Sequence, residues 1–135
     1  MIVVDVNVIA YLVIDGERSA EARAILERDP EWSAPLVWRS EWRNVLAGYL
    51  RRGSIDHSTA LENIRYAETL VRGREYVVDG PRVMALVMRS TCSAYDCEYV
   101  ALAHDLDVPL VTTDPQVLEA FPDLAVLPLD FLSRS

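Results

Sequence analysis

The stretch Ile2-Val3-Val4-Asp5-Val6-Asn7-Val8-Ile9 decides how the rest of the chain reads. Three consecutive β-branched residues without polar alternation suit a strand buried on both faces, because a strand with one wet face alternates apolar and polar side chains. A carboxylate follows at once, and Val6 to Val13 then reads as a helix closed by Gly16. A doubly buried strand that passes into a helix through a single acid is the first half of a β-α-β crossover. Such crossovers are right-handed and make the sheet parallel, with helices on both faces.

The same alternation recurs outward from this stretch. Ser19 to Arg28 reads as a helix with Ser19 as its N-cap, and Trp32 to Leu36 as a short strand. Ser40 to Arg52 is a helix ended by Gly53, and His57 to Arg72 another, capped by Ser58 and ended by Gly73. Tyr76 to Val78 is a third strand, followed by a helix from Pro81 to Met88 with proline in its first turn. Ala94 to Leu106 is the best-patterned helix. Pro109 to Thr112 is a buried strand, Pro115 to Ala120 a short helix, and Ala125 to Leu127 a last strand. The class is α/β with a parallel sheet, so a ligand belongs beyond the carboxyl ends of the strands, at a topological switch point.

Composition narrows the function. A chain of 135 residues with 51% hydrophobic and 25% charged residues buries about two-thirds of its extended surface, enough for one core and one domain, residues 1–135. No repeat or low-complexity segment interrupts it. Cys92 and Cys97, five apart, fit neither a disulfide scaffold nor a zinc ribbon. The apolar start from Met1 to Ile14 lacks a basic leader and is broken by Asp5 and Asn7, so neither a signal peptide nor a membrane span is expected, and a cytoplasmic location is. Thirteen cations against 21 anions give a net charge of −8, the wrong sign for a protein that coats nucleic acid nonspecifically. Every cation is arginine, which excludes any mechanism that needs a lysine.

Three acids sit where the switch-point rule directs attention: Asp5 after the first strand, Asp114 after Val111-Thr112-Thr113, and Asp96 in the first turn of the helix leading into that strand. At about 100° per residue, Tyr95, Tyr99, Leu102, Ala103 and Leu106 share one helix face, and Asp96 falls inside that stripe while Glu98, His104 and Asp105 fall outside it. A carboxylate aimed at a core is costly unless paired or metal-bound. Glu41, at the edge of the stripe formed by Trp42, Val45, Leu46, Tyr49 and Leu50, is a fourth candidate. Each acid also has a purely structural role open to it. Asp5 and Asp114 can cap the helices that follow, the latter with Pro115 at the first helical position. Asp96 can complete a capping box with Ser93, and Glu41 can satisfy a helix dipole. Three acids at one sheet edge, however, raise one another's pKa unless a cation neutralises them, and oxygen-only ligation selects Mg²⁺ or Mn²⁺ over zinc.

Asp5-Val6-Asn7 after an opening strand, Glu41 heading a helix that ends Tyr-Leu-Arg-Arg-Gly, the run Tyr95-Asp96-Cys97-Glu98-Tyr99-Val100-Ala101-Leu102-Ala103, and Val111-Thr112-Thr113-Asp114 together resemble the PIN-domain ribonucleases, in particular the VapC-type toxins of toxin–antitoxin pairs. The resemblance runs through the whole chain in order. It implies a three-layer α/β/α fold with a central parallel sheet of four or five strands. It also implies that Asp5, Glu41, Asp96 and Asp114 form an acidic site for one or two Mg²⁺ or Mn²⁺ ions, with Asn7 and Thr112 as supporting polar residues. An RNA substrate, a small cognate antitoxin and a homodimer follow from the same likeness. Glu98 stands where many relatives carry a neutral residue, and its outward position on the helix argues against a ligand role.

Metal ions about 3.5–4 Å apart lower the pKa of bound water and stabilise both the attacking and leaving oxygens of a phosphodiester, so no covalent nucleophile is required and a 5′-phosphate product is expected. Arg39, Arg43, Arg51 and Arg52 offer phosphate contacts, and Tyr11, Tyr66 and Tyr76 offer stacking faces, against the simpler readings of solvated charges and core aromatics. A receiver domain needs a lysine that is absent, and an aspartate-based phosphatase needs a second Asp where Asn7 stands. No Gly-x-Gly-x-x-Gly run, P-loop or Gly-x-Ser-x-Gly elbow occurs, and His57 and His104 lack metal partners in sequence. The remaining alternatives are a catalytically inactive RNA- or partner-binding module and a housekeeping RNA-processing nuclease.

Overall fold

The computed structural model describes residues 1–134; Ser135, the last residue of the expected domain, lies outside the described residues. The chain runs β1 (Ile2–Val4), α1 (Val6–Val13), α2 (Ser19–Arg28), β2 (Trp32–Pro35), α3 (Trp38–Arg51), α4 (His57–Leu70), β3 (Glu75–Tyr76), α5 (Gly80–Met88), α6 (Ala94–Leu106), β4 (Leu110–Val111), α7 (Pro115–Ala120), β5 (Ala125–Val126) and α8 (Pro128–Leu132). The described strands form one parallel sheet in the order β3-β2-β1-β4-β5. The expected α/β class and parallel sheet hold, with five strands.

This order places the site. From β1 the chain steps outward through β2 to β3, then returns to the other side of β1 for β4 and β5. Right-handed crossovers in opposite directions lie on opposite faces. Accordingly α1 packs on α2, α3 and α4, whereas α6 packs on α5 and on strands β1, β2 and β4. The switch point is the gap between β1 and β4, with Asp5 at the carboxyl end of one and Asp114 just beyond the other.

β1 is buried throughout and pairs on both edges, Ile2 with Trp32 and Val4 with Val111. Trp32, Trp38 and Trp42 are fully buried in the cluster that continues from it. Trp42 Nε1 donates to the Asn63 carbonyl at 3.3 Å, and Trp38 Nε1 to Glu75 Oε1 at 2.6 Å. Glu75 also accepts two bonds from Arg39, at 2.6 and 2.8 Å, which hold its carboxyl below the ordinary value of 4.5. Gly53 and Gly73 take φ of 73° and 78° after α3 and α4, the left-handed conformation that stops a helix with least strain in glycine.

Several boundaries differ from the sequence expectation. The third strand is Glu75–Tyr76 rather than Tyr76–Val78, because Val77 turns out of the sheet and is 83% exposed. α3 starts at Trp38, two residues before Ser40, since burial of the indole extends the helix backward. α4 is capped by the Asp56 carboxylate accepting from Thr59 N, not by Ser58, and ends at Leu70. Ser19 is not an N-cap: its hydroxyl accepts from Gly16 N and donates to the Ile14 carbonyl, closing the preceding turn. α8 has no counterpart in the sequence reading. Its five residues, opened by Pro128, are too few to show a period.

Glu75→Gln should therefore cost about 1 kcal/mol, the partly wet Arg39 limiting the value of the pair. A depressed carboxyl contributes stability above its unfolded pKa and loses it as pH falls through the folded one. The gap between wild type and variant, measured by urea unfolding, should hold at neutral pH and close in acid below 4.5.

Candidate active site

Asp5, Asn7, Glu41, Asp96, Thr112 and Asp114, all six positions singled out in the sequence, line one pocket at the switch point, with Tyr99 beside them. Each acid arrives from a different element. Asp5 ends β1 and caps α1: Oδ1 accepts from Asn7 N and Oδ2 from the Thr112 hydroxyl. Asp114 caps α7 by accepting from Gln116 N, while its own N–H donates to Thr112 Oγ1 at 3.0 Å. Buried Thr112 thus links the ends of β1 and β4. Asp96 completes a capping box with Ser93, taking the Ser93 N–H at 3.3 Å while its own N–H donates to the Ser93 hydroxyl at 3.0 Å. Glu41 lies in the first turn of α3 and accepts from the Tyr99 hydroxyl at 2.6 Å.

The capping bonds of Asp5, Asp96 and Asp114 thus hold carboxylates that also line the pocket. Asn7, an exposed residue, lines the pocket and serves through its backbone N–H.

Tyr99 is the residue the sequence reading assigned to the apolar stripe alone. The stripe is real, but Tyr95 leaves it and is 60% exposed. A buried tyrosine needs a partner for its hydroxyl, and Tyr99 one turn after Asp96 carried that signal. Burial, then Glu41, push its pKa well above the ordinary 10.0, so it stays protonated and donates.

Electrostatics show what the pocket lacks. Burial raises the Asp5 carboxyl, the Thr112 and Asn7 hydrogen bonds oppose the rise, and the charges of Asp114 and Asp96 add to it. Burial likewise raises Glu41 against the Tyr99 hydrogen bond, with Asp5, Asp96 and Glu98 adding repulsion. Glu98 does not line the pocket, yet it is half-buried and close enough to act on Glu41, so the outward, solvated position expected of it is corrected to an intermediate one. Among the described residues no arginine or histidine lines the pocket. Nor do three or more His, Cys, Asp or Glu side chains close directly around one ion there. The donor set nonetheless fits a hard divalent cation, because Mg²⁺ keeps several waters and binds through one or two carboxylates.

The chain is thus an α/β protein with an acid-lined pocket at the switch point of a β3-β2-β1-β4-β5 parallel sheet. The family model described as "PIN domain" matches residues 2–125, and the chain belongs to that family. It is 30% identical over 126 residues to Ribonuclease VapC3 of Pyrobaculum aerophilum, covering 91% of this chain and 96% of that one. The crystal structure of PAE2754 from the same organism shares the fold at a TM-score of 0.77 and 17% identity, over 97% of this chain and 92% of that one. A toxin–antitoxin complex from Klebsiella pneumoniae does so at 0.68 and 20%, over 95% and 98%.

Glu41→Gln tests the repulsion directly, since it keeps an acceptor for Tyr99 and removes the charge. A carboxyl with a raised pKa favours folding below its unfolded pKa and loses that contribution as pH rises through the folded one. In EDTA, the stability of the variant relative to wild type should therefore increase from acid to neutral pH in thermal melts.

Proposed function

We propose that this chain is a Mg²⁺- or Mn²⁺-dependent endoribonuclease that hydrolyses RNA phosphodiesters. It would act in the cytoplasm as the homodimeric toxin of a pair whose small cognate antitoxin restrains it. The pocket lined by Asp5, Glu41, Asp96 and Asp114 without a compensating cationic side chain carries this reading, and the names of the relatives supply the substrate class and the toxin context.

The four acids would hold the metal, Asp5 being oriented by Thr112 and the Asn7 N–H, Asp114 by the Gln116 N–H, and Glu41 by Tyr99. When bound, the metal supplies an activated water and stabilises charge on the phosphodiester. Among the described residues none that lines the pocket offers a free nucleophile. The Thr112 hydroxyl is buried between Asp5 and the Asp114 amide. Burial keeps the Cys92 and Cys97 thiols protonated by raising their pKa. Of the arginines suggested for RNA contact, Arg39 is already bound to Glu75 and Glu68, whereas Arg43, Arg51 and Arg52 are exposed.

The test is cleavage of a total tRNA and messenger RNA pool with Mg²⁺ or Mn²⁺ against EDTA. Wild type should cut only with metal, and Asp96→Asn should lower the rate by more than about a hundredfold, since even outer-shell changes cost 10- to 100-fold. Folded wild type that cuts nothing in either metal would leave a binding module as the better reading. Cutting that persists in the variant would place the chemistry elsewhere.

A further inference from the structure

The acidic pocket encloses about 70 Å³, room for an ion with its waters or the edge of a phosphate, whereas organic ligands occupy about 300 Å³ or more. The nucleotides on either side of a cleaved bond must lie outside it. Asn7 is shared by this pocket and a second cleft of about 360 Å³ between α1, the Ile14–Arg18 turn and α3.

Tyr11 and Tyr49 both line that cleft, and each ring carries an arginine, of which Arg18 lines the cleft as well and Arg52 does not. The Arg18 guanidinium carbon sits 5.3 Å from the Tyr11 ring centre, and its Nη1 donates to the Tyr11 hydroxyl at 3.4 Å. The same hydroxyl bonds Thr113 Oγ1 at 3.1 Å, next to Asp114. On the α3 side of the cleft, Tyr49 has Arg52 4.6 Å from its ring centre. Gly48 gives Arg52 its place, since a Cβ there would stand 3.2 Å from Arg52 Nη1. A glycine inside a helix is disfavoured relative to alanine, and this close approach gives it a reason. Among the described residues neither Arg18 nor Arg52 has a carboxylate within 4.0 Å, unlike Arg39 and Arg82, although Asp15 and Glu17 also line the cleft.

We propose that this cleft is the subsite for a nucleotide of single-stranded RNA flanking the cleaved phosphodiester, with Arg18 on Tyr11 as the platform within it and Arg52 on Tyr49 as a second platform for the strand beyond its lining. Each guanidinium offers a flat face for a base and a fork of donors for a phosphate. Seated on a ring and free of carboxylates, each is pre-ordered without being neutralised. In a chain of charge −8, cations beside the acidic pocket are what draws a polyanion to it. The assignment rests on the ribonuclease reading above.

The experiment compares wild type, Arg18→Ala/Arg52→Ala and Arg18→Lys/Arg52→Lys by anisotropy of a labelled, short single-stranded RNA of mixed sequence. Binding is measured in the Asp96→Asn background, and kcat and KM are measured in the native one. The alanine pair should weaken binding about tenfold and raise KM more than it lowers kcat. It should also flatten the slope of log affinity against log salt by about 1.4, from two lost phosphate contacts on a single strand. The lysine pair should keep the slope without recovering the affinity. Alanine variants that melt like wild type and bind RNA with unchanged affinity and slope would overturn the subsite while leaving the nuclease standing. Lysine variants with full affinity would overturn the stacking role. Wild type that neither binds nor cuts RNA would remove the underlying reading, and the subsite with it.

Discussion

The hydrogen bond from the Thr112 hydroxyl to Asp5 is the interaction on which the site depends. It joins the carboxyl ends of β1 and β4 across the switch point, and the backbone follows the same path, with Asp5 N bonded to the Val111 carbonyl at 3.1 Å. Because Thr112 also receives the Asp114 amide, one buried hydroxyl ties the Asp5 carboxylate to the backbone that carries Asp114. The carboxylates of Asp5 and Asp114 repel each other, and among the described residues no side-chain cation lines the pocket to offset them. The fold thus maintains an electrostatic deficit at its switch point, and a divalent ion is the natural complement to it.

The deficit is sustained by ordinary helix chemistry. Asp5, Asp96 and Asp114 each accept backbone N–H groups at the start of a helix, where the dipole favours negative charge. The caps fix the carboxylates before any ligand is present. Glu41 is not a cap acceptor and relies on Tyr99 instead. This division explains why sequence alone could not separate capping from a site role at the three aspartates: the residue and position suit both, and the capping carboxylates are also the ones that line the pocket.

Much of this was legible without coordinates because it rests on short-range rules. The β-branched run Ile2-Val3-Val4 and the helix between each strand and the next identified a parallel sheet, and the switch-point rule then located Asp5 and Asp114. What was not legible depends on tertiary packing. The two-residue strand Glu75–Tyr76 is held by pairing to β2, and the exposed Val77 still has a strand former's side chain. Tyr95 and Tyr99 share a face on an idealised wheel, but only the second reaches under Glu41. Trp38 extends α3 backward because its indole finds Glu75, a partner 37 residues away in sequence.

The central claim is that the acids at the switch point hold a divalent metal ion. The most direct measurement is an anomalous difference map from crystals of wild type grown with Mn²⁺. A peak within the pocket lined by Asp5, Asp96 and Asp114, reached by their oxygens directly or through ordered water, is the predicted result. A map with no peak in that pocket at saturating Mn²⁺, or with its peaks confined to other acids such as Asp15 and Glu17, would contradict it.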